Sequence, residues 1–361
     1  MKCSTYCLGD LVKIKYGKNQ KHVVSDEGKI PIYGTGGIMG YATEFLYDKP
    51  SVLIGRKGTI GKVKYADHPF WTVDTLFYTE VNEEIVLPKF LFYLMSQLDL
   101  NNYNEGTTIP SLRTETLNRL EFSIPPLPIQ RKIASILSAL DDKIETNNAI
   151  CRNLEEQAMA LYKSWFIDFE PFANQEFFNS EIGIIPKDWS VEKLSKIATV
   201  VTGKRPKRKT TERSTQENVP ILGASGIMGY TSESMYCSKI LVIGRVGTLG
   251  VVQRFEKDCW PSDNALVIQS DYYEYVKQVL VRFDYSSINR GSTQPLITQT
   301  DIKNICILIP PQHILKQFEY RVGKSMNLYS LLINETRKLE EMRNTLLPKL
   351  MRGELAVESI N

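Results

Sequence analysis

The first residues of this chain to suggest chemistry are glycines. Pro31 to Tyr41 reads PIYGTGGIMGY, with glycines at 34, 36, 37 and 40. A pyrophosphate cradle needs G-x-G-x-x-G, because each glycine has a fixed task in the turn, the approach to phosphate or the helix packing. The spacing here does not fit. A second copy, PILGASGIMGY from Pro220 to Tyr230, keeps the outer glycines and puts Ser225 where the first has Gly36. A phosphate grip would not accept that exchange, so both stretches read as structural turns, with Tyr33 and Ser225 as candidate contacts. No G-x-x-x-x-G-K-[ST] phosphate loop occurs. Histidines and cysteines are scattered without zinc-ligand spacing, and the cysteines read as free thiols.

Cations and hydroxyls on glycine-punctuated turns offer recognition instead. GRKGTIGK carries Arg56, Lys57, Thr59 and Lys62, and its twin GRVGTLG carries Arg245 and Thr248. Arginine can hold guanine through two hydrogen bonds, and threonine suits a phosphate or a thymine methyl. Arg56 and Arg245 match, as phosphate positioning requires, while Lys57 becomes Val246, as different targets require. A hairpin with solvated cations is the competing reading. EGTTIPSLR supplies Thr107, Thr108 and Arg113, and RGSTQPLI supplies Arg290, Ser292, Thr293 and Gln294. Glutamine reads adenine and short hydroxyls allow close backbone approach, though an ordinary turn before a strand explains the pattern equally. The densest basic run, GKRPKRKTTER, presents Lys204, Arg205, Lys207, Arg208 and Lys209. It suits phosphate clamping, against a merely solvated run. KIKYGKNQKH, Lys13 to His22, is a weaker counterpart, and Trp71 and Trp260 read as framework.

A duplication places these stretches. VLIGRKGTIGKV (52–63) falls on LVIGRVGTLGVV (241–252), and Trp71 with Asp74 falls on Trp260 with Asp263, all at the offset of the glycine loops. After a four-residue deletion in the second copy, EGTTIPSL meets RGSTQPLI, and both copies reach IPP, at Ile124 and Ile309. Self-similarity held in register this long marks a repeated domain. SVLIG, ILVIGR, NALVIQS and NICILIP read as strands, and Leu87 to Leu100 and Tyr272 to Phe283 as helices.

Beyond each IPP, apolar residues alternate steps of four and three, from Ile133 through Ile144 and Leu154 to Trp165, and from Phe318 through Leu332 to Leu350. That is the period of a coiled-coil seam. Each helix is expected to run about 37–39 residues, closing at Phe166 or Pro348, a rod of roughly 55–60 Å. Asn147, Ser325, Thr336 and Arg343 enter the seams at different levels, which favours pairing within the chain over a homodimer. Asn147 either fixes register or lies on a solvated edge. Trp165, Phe166, Phe169 and Phe172 form an aromatic cluster that either docks a partner subunit or plugs the joint between helix and globule.

The expected fold is mixed α/β: globule at 1–127, long helix and joint at 128–170, globule at 171–311, and a second long helix with a C-terminal joint at 312–361. An apolar content of 42%, a charged content of 24% and a net charge of +3 are ordinary for a globular protein, so any nucleic-acid affinity must come from local patches. No apolar stretch reaches membrane-span length, and the chain is expected to be cytoplasmic.

This layout closely resembles the specificity subunit of type I restriction–modification systems, across essentially the whole chain. SWFIDFEPF (164–172), GIIPKDWSVEKLSKIA (183–198), IPPLPIQRKIASILSALDDKIE (124–145) and LLPKLMRGEL (346–355) carry the likeness. The resemblance implies that each globule is a target recognition domain reading one half of a split, asymmetric sequence in double-stranded DNA. The helices, two long antiparallel coiled-coil elements, would set the spacing between halves. It implies no catalysis in this chain, which would hold two modification subunits that methylate adenine with S-adenosylmethionine, and through them ATP- and Mg-dependent restriction subunits. Both Pro-Pro pairs here follow isoleucine, unlike the Asn/Asp-Pro-Pro-aromatic motif of such methyltransferases. Two rivals remain: an enzyme with nucleotide chemistry at the glycine loops, and a coiled-coil assembly protein without DNA readout.

Overall fold

The computed structural model describes residues 3–247, 250–291 and 295–355. It divides into two units, Met1–Asn147 with Asn334–Asn361, and Asn148–Ile333. Each unit holds a β-rich globule and one stretch of each long helix.

In the first unit, short β-branched segments build a four-stranded antiparallel sheet in the order Val12–Tyr16, Leu76–Val81, Ser51–Gly55, Val63–Ala66. Val52, Leu53 and Ile54 are fully buried, so the central strand reads as a continuous apolar run rather than an alternation. A second sheet joins Gly37–Ala42, Ile30–Gly34 and Trp71–Thr72. Ser4–Cys7 pairs with Glu121–Ile124. The second unit repeats all three motifs with Thr199–Thr202, Ala265–Gln269, Ile240–Gly244 and Val252–Phe255; then Ile227–Thr231, Val219–Leu222 and Trp260–Pro261; then Ser190–Lys193 with Cys306–Ile309. It adds the hairpin Phe177–Ser180 with Gly183–Pro186.

One short helix packs on each main sheet: Pro88–Met95 in the first unit and Tyr273–Arg282 in the second. The first is shorter than the apolar pattern to Leu100 predicts. Asp99 accepts the amide of Asn101 at 3.1 Å and starts a separate 3₁₀ turn, Leu100–Tyr103, so the chain leaves the α-helix before its apolar residues end. The N-terminal end of each short helix is tied to a long one. Buried Gln130 accepts Leu87 N–H at 2.8 Å and donates to the Ile85 and Pro125 carbonyls, both at 2.8 Å. Glu319 accepts Glu274 N–H at 3.1 Å and Tyr275 N–H at 2.8 Å. Amides left over at a helix start thereby gain partners from across the unit.

The long helices run Leu127–Phe166 and Gln312–Met351, 40 residues each. The second continues past Pro348, where the sequence pattern closes it. A proline costs one backbone bond, but Leu346, Leu347, Leu350 and Met351 all pack on the first globule's core and hold the last turn in place. Within the first unit the helices run antiparallel: Arg343 donates to Asp141 at 2.8 Å and Asn147 to Glu335 at 2.8 Å. Asp141 also accepts the Tyr93 hydroxyl at 2.6 Å, which joins globule and both helices at one carboxylate. Within the second unit Cys151 meets the Tyr329 carbonyl at 3.9 Å and Trp165 meets Phe318 at 6.1 Å between ring centroids, again antiparallel. The seam residues face inward, and Asn147 is fully buried, a register position rather than a solvated edge.

Candidate nucleic-acid interface

Each globule brings its arginine loop and its hydroxyl loop together. After the strand Ser51–Gly55 the chain turns through Arg56 and Lys57, and Arg56 N–H donates to the Thr75 carbonyl at 2.8 Å. Lys57 forms a bridge with Ser111, Gly58 N–H donates to Pro110 O at 2.9 Å, and Leu112 N–H to Arg56 O at 2.9 Å. The second globule repeats these bonds: Val246 bridges Leu296, Gly247 N–H meets Pro295 O at 3.0 Å and Ile297 N–H meets Arg245 O at 3.0 Å. Two turns separate in sequence thus form one surface.

An asparagine clamps the hydroxyl loop in each copy. Asn104 Oδ1 accepts Gly106 N–H at 2.9 Å and Ser111 N–H at 2.8 Å; Asn289 Oδ1 accepts Gly291 N–H and Leu296 N–H, both at 3.0 Å. The sequence signal was available, because N-x-G recurs at both places and asparagine readily bonds the backbone two residues on.

The charges around this frame differ between copies. Glu105 pairs with Arg113 at 3.1 Å in the first loop, and Arg290, aligned with Glu105, pairs with Asp301 in the second. The aligned position carries an ion pair in both copies, with its charge reversed and its partner drawn from a different place, since Arg113 aligns with Thr298 and Asp301 with Thr116. Arg113 is 70% and Arg290 61% exposed, so either can exchange its carboxylate for a phosphate or base edge. Asp301 also accepts Thr298 N–H at 2.9 Å, which caps the helix Gln299–Lys303.

Lys57, Thr59, Lys62, Thr107 and Thr108 are all exposed on this surface. Arg56 is turned partly inward, donating to the Asp74 carbonyl at 2.9 Å and lying 5.0 Å over the Tyr16 ring. Arg245 is half-buried at the matching corner. Thr248, Ser292, Thr293 and Gln294 lie outside the described residues.

Lys204, Arg205, Lys207, Arg208 and Lys209 are exposed, yet their run is anchored at both ends. Lys204 N–H donates to Pro261 O at 3.0 Å, and Thr210 exchanges backbone bonds with Tyr230 at 3.0 and 2.9 Å. Trp260 donates its indole N–H to Lys204 O at 2.6 Å, and Trp71 does the same to Lys18 O at 2.9 Å. Both tryptophans are framework that sets the start of a basic segment.

The glycine loops are hairpins. Gly37 and Gly226 have φ of 136° and 149°, the left-handed region that glycine tolerates. A Cβ at Gly36 would meet nothing within 4 Å, which explains why serine stands there in the second copy.

Trp165 and Phe166 are buried in the second unit's core. Phe166 lies 4.9 Å from Tyr275 and 5.0 Å from Phe318, while Phe169 and Phe172 close on Trp189 at 5.4 and 5.0 Å. Their packing is that of a joint plug. Among the described residues, no cluster of His, Cys, Asp or Glu fits a metal ion and no helix is long and apolar enough to cross a membrane.

Two copies of one β-rich scaffold, each presenting a stitched two-loop surface and tied to a pair of long helices, define a duplicated recognition protein. Residues 2–156 and 186–319 match the family described as type I restriction modification DNA specificity domain, and the chain belongs to that family as a DNA specificity subunit. It is 29% identical over 351 residues to the type I restriction enzyme MjaIX specificity subunit of Methanocaldococcus jannaschii, covering 87% of this chain and 80% of that one. With the HindI specificity subunit of Haemophilus influenzae it shares 23% over 389 residues, covering 82% and 84%. Its fold resembles the S subunit from M. genitalium, with a TM-score of 0.68 at 18% identity over 97% and 96% of the two chains.

Proposed function

We propose that each globule reads one half of a bipartite, asymmetric DNA target and that the long helices set the distance between the halves. The observation that carries this reading is the stitched loop surface. Its backbone bonds are the same in both copies, while its side chains differ, exposed Lys57 against half-buried Val246 and exposed Glu105 against exposed Arg290. A constant frame with exchanged side chains suits reading of different bases, because base edges are told apart by donor and acceptor patterns. The exposed run from Lys204 to Lys209 supplies phosphate contacts that position the domain without specifying sequence.

In this reading the chain is non-catalytic and acts in the cytoplasm. It holds two modification subunits, which bind S-adenosylmethionine and methylate adenine, and through them ATP- and Mg-dependent restriction subunits. The test is long-read methylation mapping in a methylation-free host expressing the chain with its neighbouring modification subunit, and each alone. A single split motif that appears only with both, and of which one half changes when residues 171–311 are exchanged for another globule, is the expected result. A soluble complex that leaves no motif would sink the reading in favour of an assembly protein.

A further inference from the structure

The tips of the two glycine hairpins carry the same exposed pair. Ile38 and Met39 are 54% and 57% exposed, and Ile227 and Met228 are 53% and 41% exposed. Each pair leaves a tight turn in which Gly34 faces Gly37, or Gly223 bonds Gly226 at 2.8 Å. Two adjacent large apolar side chains exposed at the aligned place in both copies form a contiguous surface patch, the kind of feature that marks an interaction site.

The tips are also braced. Lys64 donates to the Gly34 carbonyl at 3.2 Å and to the Thr35 carbonyl, and Gln253, at the aligned position, donates to Gly223 O at 2.9 Å and Ala224 O at 3.2 Å. A cation and a neutral amide thus hold the same carbonyls in the two copies, so geometry rather than charge is what they share. Gly34 and Gly223 seat the methionines: a Cβ there would come within 3.0 Å of Met39 Sδ and 3.3 Å of Met228 Sδ.

The surroundings indicate what such a tip touches. In the second unit the basic run lies against one edge of the hairpin, where a Cβ on Gly229 would meet Lys209 Cε at 3.0 Å. Gly223 to Met228 share a concavity with Val246, the residue after Arg245. An apolar tip flanked by cations matches duplex DNA, whose phosphates take the charges and whose sugar and base faces take the apolar atoms.

We propose that the Ile38–Met39 and Ile227–Met228 tips are apolar groove contacts that grip duplex DNA without reading its sequence. A pair identical in two domains cannot supply the difference between two half-sites, whereas sugars and stacked base faces are alike at every site. The proposal rests on the DNA-reading function above and adds a sequence-independent contact to it.

The test uses the full chain co-purified with its modification subunits. Anisotropy titrations at several salt concentrations compare a fluorescent duplex carrying the mapped motif with a scrambled duplex. Ile38→Ser with Met39→Ser, or Ile227→Ser with Met228→Ser, should weaken both duplexes by about tenfold, in keeping with the loss of an apolar groove insert. The salt slope and both halves of the methylation motif should stay as they were. Ile227→Leu with Met228→Leu should retain wild-type affinity, and so should Ile184→Ser, a change at a 63% exposed site on another hairpin. Unchanged affinity in the serine variants overturns the proposal. So does loss confined to the motif duplex, which would make the tips readers, or loss of the modification subunits with DNA binding intact, which would make them a protein contact. A wild-type complex with neither motif nor duplex affinity would instead bring down the DNA-reading function itself.

Discussion

The amide of Asn147 in the first long helix donates to Glu335 of the second at 2.8 Å, while its own Oδ1 is buried without a hydrogen-bond partner among the described residues. A half-satisfied amide in a seam specifies register at a cost in stability. Asn147→Leu is therefore expected to stabilise the protein by about 1 kcal/mol, because Glu335 keeps Lys143 at 3.5 Å. Thermal unfolding of the purified chain reads this directly, and a lower melting temperature would mean that the amide is better satisfied than its single bond to Glu335 indicates.

Glu319 makes stability depend on pH. Burial pushes its carboxyl up to about 7, against the pull of the Tyr275 and Glu274 amides; the Glu274 charge raises it further and Lys239 lowers it. The folded state then holds the proton more tightly than the unfolded chain, where the group ionises near 4.5. Stability from this group is complete below about 4.5, falls as pH rises towards 7, and levels off above. The fall is on the order of 3 kcal/mol. Melting temperatures from pH 5 to 8 should decline more steeply in the wild type than in Glu319→Gln, and parallel profiles would remove Glu319 as the cause.

In the proposed reading the basic run acts on DNA through charge. Replacing Lys207, Arg208 and Lys209 with alanine should weaken binding to all duplexes alike and reduce the slope of log affinity against log salt by about 0.9 for every phosphate left without its cation. Titrations at several salt concentrations suffice to check it. A change in preferred sequence with the slope intact would make these residues readers rather than clamps.

Glycines that look alike should respond differently to substitution. Gly36→Ser places its side chain in open space and should alter stability by no more than about 0.5 kcal/mol. Gly203→Ala would set a Cβ 2.3 Å from Ser262 O and 2.4 Å from Pro261 O, and Gly17→Ala one 2.0 Å from Val73 O. Each should cost about 2 kcal/mol or more, since overpacked backbone must shift. Chemical denaturation of the three variants distinguishes the two classes.

Periodicity and repetition were enough to establish the layout. Two aligned copies imposed a duplicated globule, and steps of four and three imposed two long helices with matching seams, because side-chain direction follows residue spacing within an element. The glycine turns were legible too, since the Ser225 exchange already ruled out a phosphate grip. Which separate residues meet was settled by tertiary packing alone. Backbone bonds from Gly58 and Leu112, and from Gly247 and Ile297, fasten one loop to another, Asn104 and Asn289 clamp the hydroxyl loop on itself, and Glu105 pairs with Arg113 where the aligned Arg290 pairs with Asp301. Gln130 and Glu319 reach amides more than forty positions away. Trp165 and Phe166 turn inward although their composition suited a docking surface equally well. The reason is physical: spacing along the chain sets which face a side chain occupies, but its partner is chosen by whichever distant element packing brings against that face.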